Sequence, residues 1–257
     1  MKIFSLVILS LILGGLCIFS CQTRPQPLQL VTLEYPPYEV EENGKITGMA
    51  VEIVEEVFQR MQKPVNIKLQ PWDVALEMIK TGDADAVFTI FKTPAREQYA
   101  DYNKEMLLPQ MISLFTRKNA KIEYNGNLIK LQDYRFGIVK AVSYGSIIDS
   151  AFNQDIIRSV FIYETGQDNM EALLNGKIDI LVSNRLGAWY ILQQMGRADE
   201  VQELSPIVQS VPSYIAFSKV KDLNMIKDSF DNILKIMKED GSYRKITDKY
   251  MLNKFRR

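Results

Sequence analysis

At 257 residues the chain is long enough for one large or two ordinary domains around a well-buried core, and 47% hydrophobic against 24% charged residues is the composition of a soluble globular protein. Its 31 basic and 31 acidic residues cancel, and the only dense basic run is the tail at 254–257, which excludes the broad cationic surface that a nucleic-acid backbone requires. There is no histidine, which removes Ser-His and Cys-His catalysis, HExxH metal sites and His-bearing zinc sites together.

Lys2 precedes an almost unbroken apolar run over residues 3–19, with Cys17 and Cys21 at or just beyond its end. A basic start and a short apolar stretch without a basic stop-transfer flank fit an export signal over 1–20 better than a membrane span, which needs about 20 apolar residues. An uncleaved anchor helix is the other reading, and both place the rest of the chain outside the cytoplasm. Ile18-Phe19-Ser20-Cys21 resembles a bacterial lipobox, with Cys21 as the lipid attachment. Cys17 fits less well because bulky Leu16 precedes it. Residues 21–27 are polar and proline-bearing and read as a lipid-anchored tether. No cysteine follows Cys21, so the exported part depends on its core rather than on disulfides.

Beyond the tether, short β-rich runs alternate with helical patterns, the signature of α/β layering around mainly parallel sheets. The pattern predicts a strand over 28–33. An amphipathic helix follows, carried by Met49, Ala50, Ile53, Val54, Val57, Phe58 and Met61 opposite Glu52, Glu55, Glu56 and Gln59. Next come a strand over 65–69, a short helix over 74–79 stopped by Gly82, an apolar strand over 86–91 and a strand over 111–116. A second series follows the Asn125-Gly126 turn: strands over 136–139, 160–163 and 178–182, and helices over 146–152, 170–174 and 186–195. A last strand over 214–217 precedes a long amphipathic helix through Leu223, Ile226, Phe230, Ile233, Leu234 and Met237, then Gly241 and a final helix ending near Met251. The closing helices exceed what the second unit needs, so the chain is expected to cross twice between two lobes. Lobe one is then 28–115 plus 216–257, lobe two is 116–215, and the crossing strands near Phe115 and Ala216 form a hinge. The cleft between lobes is the expected ligand site.

The motifs run in a fixed order. Tyr35-Pro36-Pro37-Tyr38, Asn43-Gly44-Lys45-Ile46-Thr47-Gly48, Pro71-Trp72-Asp73, Gly82-Asp83-Ala84-Asp85-Ala86 and Thr93-Pro94-Ala95-Arg96 lead into Gly137-Ile138-Val139, Ser143-Tyr144-Gly145, Leu173-Leu174-Asn175-Gly176-Lys177-Ile178-Asp179 and Asp240-Gly241-Ser242-Tyr243. Over about 28–252 this series resembles the solute-binding proteins of polar amino-acid ABC transporters, family 3, in lipoprotein form. The resemblance implies a type II periplasmic-binding clamshell, each lobe a mainly parallel sheet flanked by helices.

The same resemblance assigns roles. Arg96 would grip the ligand's carboxylate, a task suited to the planar fork of a guanidinium; a surface arginine in a helix starting at Pro94 is the alternative. Thr93, with backbone groups of 91–93, would add neutral hydrogen bonds or cap that helix. Tyr35 and Trp72 would form aromatic walls, with ordinary core as the alternative for either, while Tyr38 reads as core. Ser143 and Tyr144 would approach the carboxylate from lobe two, or form only a turn. Asn184 stands where the family usually has an aspartate for the ligand's ammonium, so Glu34 or Glu164 would have to supply that charge, or the ligand lacks a primary amine, or Asn184 simply caps the next helix. The stretch 85–96 is about one residue shorter than in the commonest members, which leaves the register of Phe91 open.

The expected function is non-catalytic capture of a small polar organic acid, an amino acid or related carboxylate, by lobe closure, for delivery to an ABC permease. The protein is expected as a monomeric, membrane-anchored lipoprotein in the periplasm or on the cell surface. Two alternatives keep the scaffold: an enzyme like the exported cyclohexadienyl dehydratases, with Glu34, Asp73 or Glu164 as general acid, and a sensory lipoprotein without a permease. Without a Walker A motif, a GxGxxG or a Cys/His cluster, no cofactor or metal is expected.

Overall fold

The computed structural model describes residues 26–252. The expected signal peptide, the Cys21 attachment point and residues 22–25 of the tether lie outside them. In chain order the elements are β1 (Leu28–Thr32), β2 (Val40–Glu42), β3 (Lys45–Thr47), α1 (Met49–Arg60), β4 (Val65–Leu69), α2 (Trp72–Thr81), β5 (Ala86–Phe91), β6 (Ala100–Tyr102) and β7 (Leu108–Arg117). They continue with β8 (Arg135–Val139), α3 (Ser146–Asn153), β9 (Ser159–Tyr163), α4 (Gly166–Leu174), β10 (Ile180–Asn184), α5 (Arg185–Gln194), β11 (Val201–Ser218), α6 (Asn224–Glu239) and α7 (Ser242–Leu252).

One continuous sheet runs β4-β1-β5-β11-β7-β10-β8-β9, with β6 also on β11. The outer trios β4-β1-β5 and β10-β8-β9 are parallel, and the central strands are antiparallel to their neighbours. Each trio with its helices is one lobe of a two-lobed type II α/β fold, and β7 and β11 carry the chain between them. β5 is buried at all six positions, as a strand covered on both faces must be. In the first lobe α1 contributes Val54, Val57 and Phe58 to a core shared with Phe230, Leu234 and Met237 of α6, with Phe58 and Phe230 rings 5.5 Å apart. Phe136, Ile148 and Ile180 centre one core of the second lobe, and Met170, Leu173 and Leu192 another.

Phe115 pairs with Leu181 and sits in the second lobe's core, and Ala216 pairs with Val87 in the first. β10 joins β7 from Ile112 onward and β5 joins β11 from Ser213 onward, so the changeover lies close to these two residues. β11 is also far longer than the predicted 214–217. Its first part carries Pro206 and a register shift between Leu204 and Gln209, which breaks the alternation that would mark it as a strand.

Candidate functional site

The site grows from the ends of β1, β5 and β8, where they face the other lobe. β5 ends at Phe91, and the Thr93-Pro94 segment after it forms only a 3-10 turn, Arg96–Gln98, rather than the expected helix. Thr93 Oγ1 accepts from the Arg96 amide at 3.3 Å, so Thr93 caps that turn. The turn aims the Arg96 side chain inward, where it is only 7% exposed. Its Nη1 donates to the Phe91 carbonyl at 3.1 Å, and its Nη2 crosses to the second lobe to donate to the Ala141 carbonyl at 3.1 Å. Among the described residues no carboxylate lies within ion-pairing distance of it. Burial pulls its pKa below the usual guanidinium value.

Trp72, the first residue of α2, stands with its ring 5.5 Å from the guanidinium carbon, a cation–π contact that holds the fork in place. Tyr35 stacks on Tyr38 at 5.4 Å in a tight turn closed by the Tyr35 and Glu39 backbones at 2.8 and 3.1 Å. That turn is pinned to α1, whose first amides, Met49 and Ala50, donate to the carbonyls of Pro37 and Tyr38. Gly48 makes the approach possible: at φ +128° it is in glycine territory, and a Cβ there would lie 2.3 Å from the Tyr38 oxygen.

On the opposite wall, Ser143 Oγ donates to Asp149 Oδ2 at 2.5 Å and the Tyr144 amide donates to Asp149 Oδ1 at 2.9 Å. The Tyr144 hydroxyl accepts from the Val139 amide at 2.8 Å. Burial pushes the phenols of Tyr35 and Tyr144 up, so both remain neutral.

Between these walls lies a narrow cleft lined by Tyr35, Trp72, Phe91 and Arg96 from one side and Ser143 and Tyr144 from the other. These six predicted residues are brought together. Three others are not: Thr93 caps its turn, Glu34 is exposed, and neither it nor Asn184 lines the cleft. Asn184 is fully buried and caps α5, its Oδ1 accepting from the amides of Leu186 and Gly187 and from the Tyr38 hydroxyl while its Nδ2 donates to Gln110 Oε1. Of the other carboxylates considered, Asp73 is ion-paired with Lys140 across the mouth at 2.9 Å, and Glu164, exposed, lies 3.6 Å from the same lysine.

Leu33, Thr89, Gln110, Ile112 and Val142 also line the cleft and were not foreseen. Thr89 is the extra residue of a β-bulge, left unpaired between Phe88 and Ile90 and held at φ +59°, which is rare for a β-branched residue. Nothing in the run Ala86–Phe91 marks that register slip. Gln110 was the more readable, being a lone polar residue inside an apolar stretch.

A two-lobed α/β clamshell whose cleft is lined by a buried guanidinium without an ion-pair partner is an arrangement suited to holding a small anion. The chain belongs to the bacterial extracellular solute-binding proteins, family 3, whose profile matches residues 29–253. That membership makes it an exported solute-binding protein. It is similar to the arginine-binding periplasmic protein of Mannheimia haemolytica, 24% identical over 242 residues, which covers 91% of this chain and 95% of that one. Among solved structures it is similar in fold to a histidine kinase sensor domain resembling periplasmic binding proteins (TM-score 0.79, 19% identity, 88% of this chain and 96% of that one). An ancestral arginine-binding protein bound to arginine aligns with a TM-score of 0.76 at 21% identity, covering 87% and 97%.

Proposed function

We propose that the protein captures a small carboxylate, an amino acid or a close relative, by closing its lobes around it, and delivers it to an ABC permease while tethered to the membrane through lipid on Cys21. The observation that carries this reading is Arg96: a buried cation with no acid partner, reaching both lobes through its own side chain. An anion entering the cleft would supply the missing charge and would engage donors on both walls at once, so binding and closure form one equilibrium. The named relatives include an arginine-binding protein, which supports amino acids as the first compounds to try. No chemistry is required of the site. Asp73 and Glu164 are tied to Lys140 at the mouth and Glu34 is exposed, so the carboxyls suggested as general acids are poorly placed to protonate an enclosed substrate.

The test is calorimetric titration of the exported chain with a panel of amino and related organic acids. Arg96→Ala is expected to weaken the best ligand about 100-fold or more while the protein stays folded. Unchanged binding by that variant would remove the assignment.

A further inference from the structure

The cleft has one ionised group on its lining, and it is positive. Tyr35, Trp72, Phe91, Gln110, Ser143 and Tyr144 around Arg96 are aromatic or neutral polar, and no aspartate or glutamate lines the space. A ligand bearing an ammonium group would bring a second cation into a dehydrated site, where an unmatched charge is costly.

The neutral oxygens that could soften that cost are largely taken. The Phe91 carbonyl already accepts from Arg96 and from the Tyr102 hydroxyl at 3.0 Å. The Ala141 carbonyl accepts from Arg96, Asn184 Oδ1 from three donors, and Gln110 Oε1 from Asn184. Asp149 is a carboxylate whose charge is felt by Arg96, but it stands behind the wall, off the lining, with its oxygens engaged by Ser143 and Tyr144. The remaining buried carboxyl nearby, Glu39, sits beside Thr89, off the lining, with neither oxygen hydrogen-bonded. Burial pushes its pKa up, and because it lies off the lining it offers an entering ammonium no direct contact.

Building on the capture reading, we infer that the ligand is a monocarboxylate without a cationic group, such as a 2-oxo, 2-hydroxy or N-acylated acid with an apolar or aromatic body, rather than a free amino acid. The carboxylate meets Arg96, the body lies against Trp72, Phe91, Ile112 and Tyr35, and the substituent that replaces the amine is neutral.

Matched pairs test this on the exported chain by calorimetry: phenylpyruvate and 3-phenyllactate against phenylalanine, and 4-methyl-2-oxopentanoate against leucine, with arginine as a cationic reference. The deaminated member is expected to bind at least tenfold tighter in one pair or both, Arg96→Ala to abolish that binding, and Glu39→Gln to leave it unchanged. Tighter binding of phenylalanine, leucine or arginine that still depends on Arg96 overturns the inference and leaves capture standing. If Glu39→Gln then weakens that amino acid, Glu39 is the missing counter-charge. No binding by any of these compounds, with and without Arg96, ends both readings.

Discussion

Among the described residues, Arg96 and Glu39 are buried ionisable side chains without an ion-pair partner, and both should cost folding free energy. Arg96 keeps two carbonyl partners but no acid, and an unpaired buried ion is penalised by several kcal/mol. Arg96→Leu is therefore expected to leave the ligand-free melting temperature unchanged or raised, even as binding is lost; a fall of about 10 °C or more in calorimetry would show the guanidinium to be structural. Glu39 is the second: it is 0% exposed and neither carboxyl oxygen finds a donor. Desolvation lifts its pKa well above 4.5. The folded state thus binds a proton that the unfolded state releases first, so this residue's contribution to stability is full below about pH 4 and declines as pH rises through and beyond 4.5. Glu39→Gln should flatten that part of the stability curve, and urea midpoints compared at pH 4 and pH 7 will read it. Of these residues, Arg96 was legible through the Thr-Pro-Ala-Arg motif. Glu39 was not, because a glutamate between Tyr38 and Val40 turns inward only once the tight turn docks on α1.

Elements were legible where periodicity was unbroken and obscure where it was not. β4 follows from its apolar-polar alternation and β5 from its apolar run, both to the residue, and α1 and α6 from their amphipathic stripes. The β2–β3 hairpin escaped notice although its turn is Asn43-Gly44, both at positive φ (53° and 75°), the conformation two-residue hairpins favour. With strands of only three residues there is little alternation to read. What fixes the start of β7 is equally hidden: Asp231 of α6, nearly buried, accepts from the Asn103 side chain at 2.9 Å and from the amides of Lys104 and Glu105 at 3.0 and 2.8 Å. Asn103 in turn brackets Ile215 of β11 by two backbone-directed bonds. Asp231→Ala should strand these donors and cost about 2–4 kcal/mol in chemical denaturation, with Asp231→Asn intermediate. A loss below about 0.5 kcal/mol would mean that water replaces the carboxylate.

At the scale of the molecule, the two lobes meet through contacts of unequal weight. The Lys140–Asp73 pair at the mouth is solvent-exposed and worth little. The Arg96–Ala141 and Tyr38–Asn184 hydrogen bonds are shielded, and the latter extends through Gln110 to Ser213 on the two crossing strands. Two lobes could be read from the sequence because each has its own alternation of strands and helices; this inter-lobe chain could not, since its bonded partners lie up to 146 residues apart. Where the Tyr35 turn meets the second lobe, a Cβ on Gly187 in the first turn of α5 would lie 3.1 Å from the Pro36 carbonyl and 3.5 Å from the Tyr35 ring. Gly187→Val would add branched bulk at that contact without harming the helix, since valine is a better helix former than glycine. The wedge should hold the cleft ajar. Ligand affinity is then expected to fall about tenfold, or by 1.4 kcal/mol, while the ligand-free radius of gyration in small-angle scattering rises and the urea midpoint barely moves. Tight binding with unchanged scattering would mean that closure does not pass through this contact, and that the Tyr35 turn and α5 move as one body.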